Sequence, residues 1–180
     1  MATSPKNWRD YIWQVWFALQ VLIILFVDGV PYIYPAWLYQ PEGSPLHFLQ
    51  KIRDHDINTY NDPLFQEHLA PNFMHFLFVI EIGFQLPTVL FSLYRLREGT
   101  TTGPIELLLL VYAFETAFST ALCMNSVFFI DELVFTPEQR SVFLWQLMGP
   151  WITIPTLMFI DMYWRLYSRV SAKEALKKNQ

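Results

Sequence analysis

The sequence predicts an all-α membrane protein, a bundle of four transmembrane helices with both termini cytosolic. Three observations predict it. The 180 residues hold four separate apolar runs, each near the 20 residues that a helix needs to cross a hydrocarbon core about 30 Å thick. Trp and Tyr gather near the ends of these runs, as in interfacial belts. Lys and Arg are distributed unevenly between the two sides of the runs. The length suits one domain. A net charge of −4 offers no basic surface to a nucleic acid. The single cysteine, Cys123, excludes an intramolecular disulfide framework and reads as a small packing residue.

Residues 1–10 form a polar N-terminal segment. Residues 11–30 are apolar apart from Gln14, Gln20 and Asp28. No small-residue cleavage site follows a short apolar core, so this is a retained first helix. Pro31 and Pro35 end it. Residues 31–70 make a long loop with an interfacial helix around 45–56. The loop carries His47, His55 and His68 among Asp54, Asp56 and Asp62. Their spacings match no metal-ligand motif, so it reads as a solvated acidic loop. The second helix spans 72–96, with a kink at Pro87. After a tight turn at 97–103, Pro104 is a suitable opening residue for the third helix, 104–130. A second polar loop, 131–140, leads to the fourth helix, 141–163, interrupted at Gly149–Pro150 and at Pro155. The transmembrane domain is thus 11–165, followed by a basic tail, 166–180. No motif for a cofactor, metal or catalytic set emerges.

Orientation follows from the cations. Nine of the twelve, among them Lys6, Arg9, Arg95, Arg97, Arg165 and Arg169, fall on the side of the termini. Lys51, Arg53 and Arg140 fall on the other. The positive-inside rule makes both termini cytosolic and turns the two loops to a lumen or the exterior. Lys177 and Lys178, at the fourth and third positions from the end, then resemble a di-lysine retrieval signal of endoplasmic-reticulum residents.

The organising stretch is 61–87, NDPLFQEHLAPNFMHFLFVIEIGFQLP. Glu81 and Gln85, one turn apart, share a helix face. A carboxyl group at mid-membrane costs about 2.5–3.5 kcal/mol on insertion scales, which makes Glu81 a functional candidate. At about 1.5 Å per residue, Glu81 lies roughly 13 Å from one end of its helix. Glu115 lies roughly 16 Å from the opposite end of the third helix, so both sit near the midplane. Asp28 lies near the loop end of the first helix, and Pro150–Trp151 near the middle of the fourth. Glu106 and Asp161 sit close to arginines that can pair with them. Inward carboxyls define a cavity, where two neighbours cannot both ionise cheaply. One carboxylate sharing a proton with its neighbour attracts a single cation with an apolar remainder. Trp13, Phe76, Phe84 and Trp151 are the candidate aromatic walls.

Asp62-Pro63-Leu64, Glu81 and Phe84-Gln85-Leu86-Pro87, with Leu25-Phe26-Val27-Asp28 before them, resemble the sigma-2 receptor (transmembrane protein 97) family of the EXPERA superfamily. The resemblance implies an endoplasmic-reticulum protein, often dimeric, whose pocket takes sterols and cationic amphiphiles from among membrane lipids. It implies that Asp28 pairs with a ligand ammonium and that Glu81 is its protonated neighbour. It also implies that Asp62 orders the loop over the pocket, and that Gln85 and Trp151 line it. Fungal members are linked to efficient targeting of mitochondrial proteins. A more distant relation is the emopamil-binding protein, a sterol Δ8–Δ7 isomerase. Glu81 and Glu115-Thr116 resemble its two carboxylate positions. Its histidine four residues before the helix 2 glutamate is replaced here by Leu77. His75 lies about 240° around the helix from Glu81. The resemblance implies a receptor-like protein that is not an enzyme, with a sterol Δ8–Δ7 isomerase and a membrane factor assisting mitochondrial protein targeting as the alternatives.

Overall fold

Asn7 opens the first helix, its side chain accepting a hydrogen bond from the Arg9 amide at 3.2 Å. In the computed structural model, which describes residues 7–66, 68–99 and 101–178, the chain is helical with no strand among those residues. Four helical stretches are long and apolar enough to cross a membrane: Trp8–Asp28, Met74–Arg97, Gly103–Phe129 and Pro137–Lys178. Lys6 and the last two residues of the tail lie outside the described residues.

The spans differ from the sequence expectation at their ends. The fourth runs without interruption from Gly149 to Lys178, well past residue 163. Its last turns, SAKEALKK, contain good helix formers and neither Gly nor Pro. Pro155 does not break it. The Trp151 carbonyl, to which Pro155 offers no N–H, lies 3.5 Å from the Thr120 hydroxyl on the third span.

Pro31, Pro87 and Pro150 have a common effect that differs from simple termination. Each follows a π-helical turn: Ile24–Asp28, Glu81–Gln85 and Phe143–Leu147. The widened turns are closed by amide bonds to the fifth carbonyl back, from Gly29 to Ile24, from Leu86 to Glu81 and from Met148 to Phe143. A proline both withdraws an N–H and crowds the preceding turn, and a turn with one extra residue relieves that crowding. Gly29 is required at the first of these turns. A Cβ there would stand 2.4 Å from the Ile24 carbonyl oxygen.

Side chains from all four spans fill the half of the bundle nearest the termini. Trp16 and Phe17 of the first meet Val89 of the second, Leu109 and Tyr112 of the third, and Met158 of the fourth. Between transmembrane helices such packing acts mainly through van der Waals contact, since lipid is as apolar as leucine. Large apolar residues on the outside, such as Val15, Val79, Phe118 and Leu157, remain exposed for lipid. The termini end is locked by charge. Arg165 binds Asp10 at 2.6 Å and Asp161 at 2.8 Å, and Asp161 also holds Arg9 and the Trp13 indole. Arg169 forks onto Glu106 at 2.6 and 2.9 Å. These contacts tie the first, third and fourth spans together.

At the loop end the chain forms a cap helix, His47–Tyr60, longer than the expected 45–56. It stops at Asn61, whose φ of 54° is left-handed and suits asparagine. The Asn61 side-chain Nδ2 donates to the Val134 carbonyl at 3.0 Å, so the cap is tethered to the loop before the fourth span.

Candidate functional site

A cavity of about 300 Å³ lies between the four spans and beneath the cap helix. The π turns place three of its polar residues. Asp28 ends the first, Glu81 and Gln85 bracket the second, and Leu147 ends the third; all four line the cavity. The carboxyl groups of Asp28 and Glu81 lie within hydrogen-bond reach of each other. Trp151 forms the inner wall, its ring tilted 4.9 Å from that of Trp16.

Glu115 is placed differently from the other expected site residues. It lies outside the lining, where its carboxylate accepts a hydrogen bond from the Gln85 amide at 2.9 Å. Gln85 thus stands between Glu115 and the cavity. Of the expected aromatic walls only Trp151 lines it. Trp13 bonds Asp161 at the termini end, Phe76 faces outward and Phe84 packs on the main core. Phe65 and Phe78 line the cavity instead. So do Thr116, named beside Glu115 in the isomerase resemblance, and Gln20 and Thr120, which the sequence reading did not assign to it. Gln20 donates to the Tyr112 hydroxyl at 3.1 Å. Its eight-residue spacing from Asp28 keeps the two near one helix face, a signal that was available. Leu77 lines the cavity, whereas His75 lies outside the lining and meets the Tyr32 ring at 5.5 Å.

The mouth is built from the cap and the loop after it. Ile52, His55 and Asp56, at helical spacing, face the cavity. Asp62 opens a 3₁₀ turn, Pro63–Phe65, by accepting the Leu64 amide at 2.7 Å. Its backbone carbonyl also accepts from Gln66 at 3.0 Å. Asp62 and Asp56 lie within hydrogen-bond reach of each other. Burial raises both carboxyls, Asp62 to about 7, against the opposing pull of the Leu64 amide on Asp62. Among the described residues no three His, Cys, Asp or Glu side chains gather as a metal site.

A stability effect follows from Asp62. Its folded value of about 7 exceeds its ordinary 3.8, so the native state holds the proton more tightly than the unfolded chain. The contribution is fully present below about 3.8 and is lost as pH rises through about 7. The cap amides should therefore exchange more slowly at pH 5 than at pH 7.5, after correction for intrinsic exchange. Asp62→Asn, which keeps the acceptor for Leu64, should flatten the difference. An equal dependence in both proteins would contradict this account of the mouth.

Four spans around a lined, acid-bearing cavity define a multi-pass membrane protein with an internal site. The chain belongs to the EXPERA (EXPanded EBP superfamily) family, whose model matches residues 47–162. It is also similar to the efficient mitochondria targeting-associated protein 19 of Schizosaccharomyces pombe (strain 972 / ATCC 24843). The two are 27% identical over 169 residues, 92% of this chain and 81% of the relative. The family match contains Glu81, Gln85, Glu115 and Trp151; Asp28 precedes it.

Proposed function

We propose that this chain is a receptor-like EXPERA protein of the sigma-2 type, resident in the endoplasmic-reticulum membrane with cytosolic termini. It binds a sterol or a cationic amphiphile drawn from the membrane and serves sterol or lipid homeostasis. The observation that carries this reading is the Asp28–Glu81 pair on the wall of an otherwise largely apolar cavity. Paired acids there are costly unless a polar or cationic group uses them. A volume near 300 Å³ is at the small end for ligand pockets, so a bulky ligand extends beyond it. Assembly as a homodimer follows from the same family resemblance.

The reading is non-enzymatic. Moving a sterol double bond needs one group to deliver a proton and another to remove one in a dry pocket. Leu77 lines the cavity where the isomerase resemblance places a histidine, and it can carry no proton. The test is incubation of the purified protein with cholesterol, with a Δ8-sterol and with an amine amphiphile. Saturable retention of ligand and recovery of the Δ8-sterol unchanged are expected. Conversion that disappears in Glu81→Gln and Glu115→Gln would establish an isomerase instead. A second reading, a membrane factor for mitochondrial protein targeting without small-ligand chemistry, is favoured by the name of the Schizosaccharomyces pombe relative.

Lys177 and Lys178 end the long fourth helix and are exposed. Replacing both by Ser should let part of the protein leave the endoplasmic reticulum in cells. An unchanged distribution would reduce them to an ordinary basic tail.

A further inference from the structure

We infer that Arg53 is a tethered counter-cation of the cavity and sets its balance between neutral and cationic ligands. The inference rests on the reading of the cavity as a ligand site. Arg53 is half-buried on the cap helix, one residue after Ile52 and three before Asp56, both of which line the cavity. Its guanidinium stacks 4.7 Å above the Phe65 ring, and Phe65 itself lines the cavity. Its Nη1 is enclosed and has no hydrogen-bond partner among the described residues. A guanidinium whose enclosed nitrogen has no carboxylate bonded to it remains a source of field.

The groups facing it come from three elements. Asp28 on the first span and Asp56 on the cap both feel the Arg53 charge. Asp62, on the loop, lies beyond Asp56, and His55 adjoins Asp56 on the cap. Lys51, one of the other cations on this side, is on the exposed face of the cap.

Charge counting gives the consequence. Asp28–Glu81 and Asp56–Asp62 are two carboxyl pairs, each within hydrogen-bond reach. A pair that holds fewer than two protons is negative, and Arg53 offsets one such charge. An ammonium entering beside Asp28 is therefore attracted by the acids and repelled by Arg53. An uncharged sterol feels neither. Arg53 thus weakens selection for cations and leaves neutral ligands competitive.

The experiment measures binding of dodecyldimethylamine and of cholesterol to the full chain in one detergent at pH 7, for wild type, Arg53→Gln and Arg53→Lys. Arg53→Gln should bind the amine about tenfold more tightly, the order supplied by one like charge across roughly 10 Å at an effective dielectric of about 20. Cholesterol binding should stay within about twofold, and Arg53→Lys should match wild type. If Arg53→Gln folds poorly, Arg53→Met, which keeps an unbranched stem over Phe65, is read in the same way. An unchanged or weaker amine affinity with intact cholesterol binding overturns the role of Arg53 alone. Equal shifts for both ligands make Arg53 a shaping residue of the cap and overturn it too. Absence of binding by either ligand to every variant removes the cavity reading and this inference together.

Discussion

Asp28→Asn is expected to weaken binding of an amine amphiphile by about 2–5 kcal/mol, the usual loss on breaking a buried charged pair. That is a factor of about 30 to several thousand. A neutral sterol should lose far less. The reason lies in how the two pocket acids divide one proton. The sequence puts Asp28 near the loop surface and Glu81 deeper, but the π turns bring their carboxyls side by side. Their other neighbours then decide. The Arg53 cation acts on Asp28, whereas the carboxyls of Asp28 and Glu115 act on Glu81. The expected division is therefore a charge on Asp28 and a proton on Glu81. Asn has the shape of Asp28 without its charge. Gln at 81 mimics a neutral acid and still donates a hydrogen bond. Glu81→Gln should therefore cost the amine only about 1 kcal/mol. Isothermal or fluorescence titration of each variant with one amine and one sterol reads both effects. Loss of amine binding in Glu81→Gln with Asp28→Asn unaffected would reverse the assignment.

Arg165→Met should destabilise the bundle by about 3–5 kcal/mol, the scale of removing one partner from a buried ion pair. Asp10 is 1% exposed, and its Oδ1 is held by Arg165 Nη1 at 2.6 Å. The same nitrogen donates to Thr101 Oγ1 at 3.0 Å. Without Arg165 the Asp10 charge stays buried, with its second oxygen already lacking a hydrogen bond. Asp161 is protected because Arg9 and the Trp13 indole still hold it. The double change Asp10→Asn with Arg165→Met should recover most of the loss, since the cost is that of an orphaned charge. Thermal unfolding in detergent measures the cycle. A single-variant midpoint indistinguishable from wild type would mean that packing alone holds this end. The loss should be confined to stability. The network lies at the termini end, away from the cavity lining, so sterol affinity of the surviving folded protein should be unchanged.

The four spans were legible because apolar length is a strong signal that tertiary context rarely overturns. Asp28, Glu81, Gln85 and Trp151 were legible as a set for a related reason. An acid, an amide or a Pro-Trp step inside an apolar run has few cheap alternatives to facing inward. The directions of the other side chains were not. Phe84 lies three residues after Glu81 and would share its face in a regular helix. Both belong to the π turn Glu81–Gln85, whose extra residue shifts the phase of what surrounds it. The sequence reading treated Pro31, Pro87 and Pro150 as stops or kinks. Their positions two or three residues beyond each π turn show that they accompany a widened turn in the structure. The basic tail was read by charge and not by propensity, so its helix was missed. Asp10 gave no signal at all, because its partner Arg165 is 155 residues away.

The cavity between the spans is expected to hold a lipid-like molecule. Native mass spectrometry of the protein purified in a mild detergent, followed by lipid extraction, tests it most directly. Thr120 lines the cavity from the third span, and Thr120→Phe should fill part of the space without touching the acids. The wild-type chain should carry about one sterol or amphiphile per protomer, displaced by excess amine, and the Thr120→Phe variant should carry little. A wild-type protein that emerges without any such molecule, or a variant carrying the same molecule in the same amount, would contradict the account.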